Sequence, residues 1–344
     1  MKLQDGLKDK VQILVIGDII VDRYVTGTST KMSFEAPVPI LDYKNEELRL
    51  GGAGNVALNL KYLDSSCKVS LMGVVGDDAH GQWVVDELEN YDIDNYFIHV
   101  DDSDITNCKT RYITGTSQMM RLDKSPLKTY YNLRESIELA CDNLKFDLVI
   151  VSDYDYGVLN QDSIDCLKQL SNCPIIVDPK LKNFWKYDGV YCIKPNRREI
   201  SEALYHKLSK RIVEHNDIDA SLDSLIYEMN KHHTSQYVVV TDGENGMCWY
   251  DSSDTSYSYL AGIPRNLVDV TGAGDTVIST LGYSLARGYS FEKSLKYSNI
   301  AAAKSVEQLG CGYVEFSEIL KEVKVEYNEE AELWHQRELE NIQV

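Results

Sequence analysis

The sequence predicts an α/β protein built on a mostly parallel β-sheet. Short apolar stretches of strand type alternate with longer segments of helical periodicity along most of the chain. This alternation is typical of parallel strands joined by right-handed helical crossovers. Several of the strands also end in a polar residue. Open α/β sheets bind ligands at the carboxyl ends of their strands, so these polar residues indicate where a site should lie.

The composition limits the classes of function. The chain has 344 residues, of which 43% are hydrophobic, enough for one large or two smaller domains. Its formal net charge of −19 disfavours nucleic acid and anionic membranes as partners, because both are bound by basic surfaces. The eight cysteines contain no Cys-x-x-Cys pair, so we expect reduced thiols and no zinc site. The N-terminal region has neither a signal peptide pattern nor a membrane span, and we expect a cytoplasmic protein.

The first part of the chain combines a buried strand with a polar flap. Residues 11–17 are predicted to form a strand that leads to Asp18 and Asp22. Residues 24–42 mix Thr, Ser and Pro with short alternating stretches, which fits edge strands or a flap better than a helix. A glycine turn at 51–54 then begins a helix. Charged residues rather than an apolar strand precede this turn, so a dinucleotide-binding motif is not expected there.

The remaining elements follow a regular order. The segment 93–123 again resembles short alternating strands and is interpreted as a second part of the flap. The tail at 315–344 carries nine glutamates against three Lys or Arg, which indicates a solvated helix that frays at its end. Further strands are predicted at 68–75, 147–152, 174–178, 190–193, 236–241 and 246–250, and helices at 82–91, 131–144, 160–171, 221–231, 275–285 and 291–308.

The chemistry is predicted to centre on residues 268–281. Two glycines, Gly272 and Gly274, lead into an apolar helix that is expected to begin at Asp275. Glycines permit the close backbone approach that an anion needs, and the unpaired amides and dipole of a helix start bind negative charge. A carboxylate is useful at such a place if it takes a proton from the group that attacks the anion. Asp275 is therefore a candidate general base; the alternative is that it only caps the helix.

Polar residues at the strand ends extend this site. Asp18, Asp22, Asp153, Asp178 and Asn196 are all expected near the carboxyl edge of the sheet. A single acid there could be a turn cap. Five polar residues at one edge indicate a site.

These segments together resemble the ribokinase/PfkB family of sugar kinases, and within it the heptose-7-phosphate kinases. The resemblance runs from about residue 11 to about residue 325. The family signatures look like Gly51-Gly52-Ala53-Gly54-Asn55, Asn196-Arg197-Arg198-Glu199 and Asp269-Val270-Thr271-Gly272-Ala273-Gly274-Asp275. Closer similarity to the heptose kinases lies in Gly17-Asp18, Asp22-Arg23-Tyr24, residues 35–39, Arg121-Leu122-Asp123, Ser152-Asp153-Tyr154, Asp178-Pro179-Lys180 and residues 275–278.

The sequence departs from the heptose kinases at three places, one of which is Lys31-Met32-Ser33-Phe34, where Arg-Ile-Ser-Pro is usual before Glu35-Ala36-Pro37. Asp155-Tyr156-Gly157 stands where an Ala-Lys-Gly is usual, so one expected positive charge is missing. Leu50 replaces the usual proline before the twin glycines. These changes bear on which sugar is bound and hardly touch the phosphoryl-transfer residues.

The resemblance implies a ribokinase-like three-layer fold. Residues 1–344 would form one kinase domain with a small β-strand lid from segments at about 20–43 and 95–122, and an acidic helix or tail at 325–344. The lid would pair with its twin in a homodimer, since a small sheet is marginal in water by itself.

The implied activity is transfer of phosphate from ATP, with Mg²⁺, to O1 of D-glycero-D-manno-heptose 7-phosphate, a step toward bacterial surface polysaccharide. A kinase for another sugar and a silent sugar- or nucleotide-binding protein are the alternatives. The intact Thr271-Gly272-Ala273-Gly274-Asp275 favours a kinase, because a binding module needs no base.

The resemblance also assigns residues to roles. Catalysis would use Asp275 and the amides of Gly272, Ala273 and Gly274, and sugar binding would use Asp18, Asp22, Gly51, Gly52, Asn55 and Asp153. Because the chain is so acidic, local cations must meet the sugar's phosphate, and Arg111, Arg121 and Lys180 are the candidates, with an exposed ion pair as the alternative for each. The nucleotide set is Asn196, Glu199, Thr241, Gly243, Gly246 and Asn299.

Two cation sites are implied as well. Asn196 and Glu199 would hold Mg²⁺, in part through water, with a helix cap as the alternative. Asp269 and Thr271 would hold a monovalent cation such as K⁺, with a plain turn as the alternative. For Asn299 the alternative is that it satisfies a neighbouring backbone group.

Overall fold

The computed structural model describes residues 7–126, 131–208, 221–308 and 310–323. The strands are β1 (Gln12–Gly17), β2 (Ile19–Met32), β3 (Pro39–Gly52), β4 (Lys68–Gly76), β5 (Asp94–Asp101), β6 (Asn107–Thr114), β7 (Ser117–Lys124), β8 (Leu148–Ser152), β9 (Ile175–Asp178), β10 (Cys192–Ile193), β11 (Tyr237–Thr241), β12 (Gly246–Asp251) and β13 (Ser256–Ala261). The helices are α1 (Ala53–Leu63), α2 (Ala79–Asn90), α3 (Arg134–Asn143), α4 (Gln161–Leu170), α5 (Arg197–Lys207), α6 (Leu222–Asn230), α7 (Ala273–Arg287) and α8 (Phe291–Ser305), with a further helical stretch at 316–323.

The larger sheet is mostly parallel, as predicted. Within the described residues its strand order is β13-β12-β11-β10-β9-β8-β1-β4-β5. All neighbours from β5 to β11 pair in parallel, and β12 and β13 add an antiparallel edge. The central strand β8 is buried along its whole length, which is the pattern expected for a parallel strand covered on both faces.

Helices cover both faces of this sheet and give a three-layer architecture. Successive side chains of a strand point to opposite faces, and β1 separates the two cores accordingly. Ile13 and Val15 pack in one apolar cluster with residues of α1, α7 and α8. Leu14 and Ile16 pack in the other with residues of α3, α4, α5 and α6. The predicted fold class is confirmed.

A second sheet forms the lid. Its strand order is β3-β2-β6-β7, with β2 and β6 parallel and the other pairs antiparallel. Only Asp18 separates β1 from β2, and β3 runs directly into α1. The predicted lid segment 20–43 lies in this sheet, although the observed lid continues to Gly52.

The predicted lid segment 95–122 is wrong in its first part. Residues 94–101 form β5, which pairs in parallel with β4 at the edge of the large sheet. The reason is burial, because the Phe97 side chain packs in the apolar cluster of the large sheet and is 6% exposed. The lid takes its second pair of strands from β6 and β7 instead.

Two further predictions concern the C-terminal tail and membrane-spanning helices. The predicted tail at 325–344 lies outside the described residues. In the ranges that the structure describes, every helix is too short or too polar to span a bilayer.

The carboxyl ends of the central strands meet beneath the lid. Backbone hydrogen bonds join them, from the amide of Asp18 to the carbonyl of Ser152 at 3.1 Å and from the amide of Asp153 to the carbonyl of Asp178 at 3.1 Å. Lys194, just beyond β10, donates its amide to Val177 of β9 at 2.8 Å. The sequence predicted the site at this edge of the sheet.

Candidate active site

The helix start at α7 differs from the prediction by two residues. The helix begins at Ala273, and its N-cap is Gly272, with a φ of 78° and no side-chain cap. Asp275 is therefore the third helical residue, and the alternative that it caps the helix is wrong. The Ala273 amide closes the turn onto the Val270 carbonyl at 3.2 Å. Because the following amides of a first helical turn have no intrahelical acceptor, those of Gly274 and Asp275 suit an anion.

The Asp275 carboxylate is held from two sides. Its Oδ2 accepts a hydrogen bond of 2.7 Å from Nδ2 of Asn55, and its Oδ1 accepts one of 3.1 Å from the hydroxyl of Tyr154. Burial, with a smaller contribution from Asp178, raises the pKa of Asp275 to about 6, although both hydrogen bonds and the Lys194 ammonium act in the opposite direction. The carboxylate is therefore ionised at neutral pH and close to the range in which a general base works best.

A pocket of about 330 Å³ opens in front of α7. It brings together residues from six strands and helices and from the loops between them at the carboxyl edge of the sheet. Each predicted nucleotide residue borders it, and so do the four predicted catalytic residues. The lining from the predicted set is Lys180, Asn196, Glu199, Thr241, Gly243, Gly246, Gly272, Ala273, Gly274, Asp275 and Asn299.

Lys194 is a pocket residue that the prediction missed. Its side chain is buried, and its Nζ lies 3.1 Å from Oδ2 of Asp178. A Cβ placed on Gly274 would lie 3.9 Å from both of these atoms, so the ammonium stands opposite the start of α7. Burial raises the pKa of Asp178, and the adjacent Lys194 opposes that rise. The signal for Lys194 was available, since it is a lysine directly beyond a predicted strand.

Asn196 and Glu199 form the helix cap that was the alternative to a metal role. Oδ1 of Asn196 accepts the Glu199 amide at 2.9 Å, and Oε2 of Glu199 accepts the Asn196 amide at 2.9 Å. The other carboxylate oxygen of Glu199 forms an ion pair with Lys180. Both residues still border the pocket, but their oxygens are engaged within the protein.

Asn299 satisfies a neighbouring backbone group, which was the alternative to a nucleotide contact. Its Nδ2 donates a hydrogen bond of 2.8 Å to the carbonyl of Ala261, at the end of β13. The side chain thereby ties α8 to the antiparallel edge of the sheet beside the pocket. Its predicted contact with a nucleotide stays a prediction.

The sugar side of the site contains Asp22, Gly51 and Asn55. Oδ1 of Asp22 accepts a hydrogen bond of 2.5 Å from Nη1 of Arg111, and both side chains are largely buried. The predicted alternative for Arg111, an ion pair, is present but is not exposed. A Cβ on Gly51 would lie 2.4 Å from Oδ2 of Asp22, so a larger residue here would displace the Asp22 carboxylate from its present position. Gly52 adopts a φ of 57° at the start of α1, which also favours glycine.

Asp18 and Asp153 lie beside this region and hold a loop. Oδ2 of Asp18 accepts the amides of Tyr154 at 2.7 Å and Tyr156 at 3.3 Å. Asp153 accepts the hydroxyl of Tyr187 at 2.7 Å. Burial, with a smaller effect of Asp153, raises the pKa of Asp18 to about 7. The contacts of these carboxylates fix the loop that carries Tyr154, and their predicted contact with a sugar stays a prediction.

Arg121 and Asp269 are used locally. Arg121 lies on the lid strand β7, is half exposed, and binds Asp123 through two hydrogen bonds of 2.7 and 2.8 Å. Asp269 accepts the amide and hydroxyl of Thr271 at 2.9 and 2.7 Å, which is the plain turn named as the alternative to a cation site. Among the described residues, no group of three or more His, Cys, Asp or Glu side chains is placed to hold a metal ion.

Known proteins share both the sequence and the fold. Residues 10–317 match the family described as pfkB family carbohydrate kinase. The chain is 34% identical over 313 residues to the bifunctional protein HldE of Nitratiruptor sp., covering 90% of this chain and 64% of that protein. It is 36% identical over 316 residues to the bifunctional protein HldE of Helicobacter pylori strain J99, covering 90% and 65%. The chain thus spans just under two thirds of the length of these relatives.

Solved structures share the fold at lower identity. Arabidopsis thaliana ribokinase complexed with ribose and ATP superposes with a TM-score of 0.70 at 18% identity, covering 90% of this chain and 98% of that one. Escherichia coli phosphofructokinase-2 in complex with potassium superposes with a TM-score of 0.73 at 17% identity, covering 90% and 97%. The family match and the architecture agree with the residues gathered at the pocket. The chain belongs to the pfkB family of carbohydrate kinases, which transfer a phosphoryl group to an alcohol group of a sugar.

Proposed function

We propose that this kinase transfers the γ-phosphoryl group of ATP to O1 of D-glycero-D-manno-heptose 7-phosphate. The observation that carries the proposal is the position of Asp275. Its carboxylate lies at the border between the pocket with the predicted nucleotide residues and the side of the site that holds Asp22, Gly51 and Asn55. The choice of sugar is supported by the motifs that resemble heptose-7-phosphate kinases and by the similarity to the two HldE proteins.

The reaction follows from the placement of these side chains. The sugar's O1 hydroxyl gives its proton to a carboxylate oxygen of Asp275 as the oxygen forms its bond to the γ-phosphorus, and the bond from that phosphorus to the bridging oxygen of ADP breaks. Asn55 and Tyr154 fix the orientation of the base through their hydrogen bonds. The ammonium of Lys194 and the first free amides of α7 offset the negative charge of the phosphoryl oxygens.

The donor set fits a magnesium ion that arrives with the nucleotide. Mg²⁺ keeps several waters and needs only one or two protein carboxylates beside phosphate oxygens. Asp178, Asn196 and Glu199 border the pocket, but the side-chain oxygens of Asn196 and Glu199 are already engaged in the capping box and in the ion pair with Lys180. We therefore assign Asn196 and Glu199 to contact through water. When bound, the ion would draw charge from the phosphate oxygens.

A monovalent cation near Asp269 and Thr271 is part of the proposal. The loop they form directly precedes Gly272, so a bound ion would support the turn that positions α7. The likeness to a phosphofructokinase-2 solved with potassium supports this. We expect higher kcat in potassium chloride than in tetramethylammonium chloride at equal ionic strength. Equal rates in the two salts would favour the plain turn.

We also propose that the lid mediates a homodimer. The lid sheet and its connecting turn expose a group of large apolar side chains to solvent. Exposed apolar groups of this size on one sheet usually mark an interaction surface. The side chains are Met32, Phe34, Val38, Tyr43, Met120 and Leu122.

A coupled ADP-release screen tests the function. The purified protein is assayed with heptose 7-phosphate, fructose 6-phosphate, ribose and nucleosides at equal concentration, and the Asp275→Asn variant serves as the control for a contaminating kinase. We expect the highest kcat/KM with heptose 7-phosphate, by at least about tenfold. A higher value for another acceptor would replace the heptose with that acceptor, and activity with none would overturn the kinase assignment.

A further inference from the structure

The inner face of the lid carries cations in two neighbouring rows. In register, Lys109 of β6 lies between Asp22 of β2 and Asp123 of β7. Two residues further along β6, Arg111 pairs in register with Arg121 of β7. Residues paired across strands share a face of the sheet. Lys109 and Arg111 therefore point the same way, toward the loop that carries Tyr154.

Among the cations that the structure describes on this face, Lys109 differs in having no ion-pair partner. Arg111 is paired with Asp22, and Arg121 is paired with Asp123. Within the part of the chain that the structure describes, Lys109 makes neither an ion pair nor a hydrogen bond with another residue. Its Nζ instead lies over aromatic rings, 5.2 Å from the ring centre of Tyr154 and 5.8 Å from that of Tyr156.

This ammonium is partly removed from water. The Lys109 side chain is half-buried, and burial lowers its pKa. A charge that loses water without a directly paired counter-charge costs free energy, and the two aromatic rings and the attraction of Asp22 and Asp123 offset only part of that cost. An anionic group bound here would therefore offset the remainder. Two acids of neighbouring strands lie near but are already paired with arginines.

Tyr154 contacts both this ammonium and the candidate base, Asp275. Its ring lies beneath Lys109, and its hydroxyl donates to Oδ1 of Asp275. Lys180 also lies over the ring, at 5.3 Å, but it is paired with Glu199 on the nucleotide side. Tyr154 thus contacts the ammonium with its ring and the base with its hydroxyl, so both groups lie around one side chain. A sugar that carries a phosphate at the end opposite its reacting hydroxyl presents one anionic group and one proton donor, which match the ammonium and the base.

We propose that Lys109 binds the phosphate group that the substrate already carries, and that it is the residue by which the enzyme prefers a sugar phosphate to the free sugar. This inference rests on the proposed kinase function and names the class of acceptor. The phosphate would lie against the inner face of the lid. The reacting hydroxyl would then point toward Asp275.

Kinetics of Lys109→Met test the assignment. Lys124→Met is the matched control, because Lys124 is a half-exposed lysine at the end of the neighbouring strand β7. We expect the KM for heptose 7-phosphate to rise by about 10- to 100-fold in Lys109→Met, as loss of a charge-assisted contact implies. The KM for ATP and the kcat/KM for the unphosphorylated heptose should stay within about threefold, and the control should match wild type throughout.

Several outcomes would overturn the assignment. An unchanged KM for the sugar phosphate would exclude Lys109 from its binding. An equal loss with the free heptose would show a general effect on the site, and a raised KM for ATP would place Lys109 on the nucleotide side. Thermal melting of both variants, and of Lys109→Gln as a second substitution, establishes that each is folded before the comparison.

Calorimetric titration separates this inference from the proposed substrate. Wild type and Lys109→Met are titrated, without ATP, with heptose 7-phosphate, fructose 6-phosphate and the corresponding free sugars. One outcome is that wild type binds fructose 6-phosphate better than heptose 7-phosphate, and that Lys109→Met no longer binds fructose 6-phosphate better than free fructose. In that case the heptose assignment fails and the role of Lys109 stands. If wild type binds each free sugar as tightly as its phosphate, the role of Lys109 fails whichever sugar is the substrate.

Discussion

The side-chain amide of Asn55 donates a hydrogen bond of 2.7 Å to Oδ2 of Asp275, and so joins the two glycine-rich motifs across 220 positions of sequence. Each residue is the third of its helix, Asn55 in α1 and Asp275 in α7, and the two helices pack against each other. Asn55 is itself held by Asn59, whose Nδ2 donates to the Asn55 carbonyl at 2.8 Å. The orientation of the base is therefore set by helix packing.

Replacing Asp275 by asparagine separates catalysis from stability. Asp275→Asn keeps the size of the side chain and removes the proton acceptor, so kcat should fall by about 10²- to 10⁴-fold. The melting temperature should stay the same or rise, because a buried carboxylate is replaced by a neutral group. The ATP dissociation constant should hardly change. A kcat within about threefold of wild type would end the case for Asp275 as base.

The pH profile should report the same carboxylate. Asp275 must be ionised to accept a proton, and its pKa is raised to about 6, so kcat/KM should fall as the pH drops below about 6. Tyr154→Phe removes a hydrogen bond that favours the ionised form, so its acidic limb should move to higher pH. At pH 8 its kcat should fall by about fivefold, since one hydrogen bond is worth about 1 kcal/mol.

The control for this profile is Tyr96→Phe, which alters an exposed tyrosine on β5. It should leave both the limb and the plateau at their wild-type positions. A Tyr154→Phe limb that stays in place, or moves to lower pH, would contradict the assigned hydrogen bond.

Two neighbouring glycines should respond in opposite ways to alanine. A Cβ on Gly274 meets nothing closer than 3.9 Å and points into the pocket. Gly274→Ala should therefore keep or slightly raise the melting temperature, because alanine favours a helix by about 1 kcal/mol over glycine. Its KM for ATP should rise, or its kcat fall, by at least about tenfold, since the methyl group occupies phosphate space. Full activity of this variant would place the phosphates elsewhere.

Gly272→Ala is the structural counterpart. Gly272 has a φ of 78°, and a Cβ there would lie 3.0 Å from both Nδ2 of Asn55 and Sγ of Cys311. The left-handed conformation alone costs a non-glycine residue about 1–2 kcal/mol. We expect a lower free energy of unfolding together with reduced kcat. Unfolding in urea measures the first and the coupled assay the second; unchanged stability would contradict the argument.

Charge on the lid should separate the dimer. Sedimentation of the wild type at micromolar concentration should give twice the mass of one chain. Phe34→Glu and Leu122→Glu place a carboxylate in the exposed apolar group of the lid and should shift the mass toward one chain. Tyr227→Glu changes an exposed aromatic residue on α6 and should not. A wild type that sediments as a single chain would contradict the lid dimer.

Local patterns were sufficient to predict the inner strands of the large sheet but not its two edge strands, β5 and β13, nor the full lid. The predicted strands and helices match because their apolar periodicity is a local property, and β8 is an unbroken apolar run. β5 was misplaced because it is half exposed, with burial alternating irregularly along its eight residues. Such a strand has the same local pattern whether it lies in the lid or at the edge of the large sheet. Pairing with β4, which is not local, decides between the two.

The predicted residues whose position depends on the backbone lie at the pocket, and their roles stay predictions. Glycines and caps at the ends of strands and the starts of helices, such as Gly243 and Gly272, were found from their motifs. Lys109, Tyr154 and Lys194 were not assigned roles, because their importance depends on where long side chains meet in space. The sequence likewise placed Asp18 at the correct edge but could not indicate that its carboxylate turns toward the backbone of the 154–156 loop.

The attachment of the lid has a mechanical consequence. The lid strand β2 leaves the large sheet after a single residue, Asp18, and the lid strand β3 enters α1 without any loop. These two connections are short, so they limit how far β2 and β3 can move relative to the large sheet. The second connection, at Gly52, lies three residues before Asn55, whose amide holds the base. Any displacement of the lid would therefore be transmitted through Gly52 to the start of α1, and so to the hydrogen bond that orients Asp275.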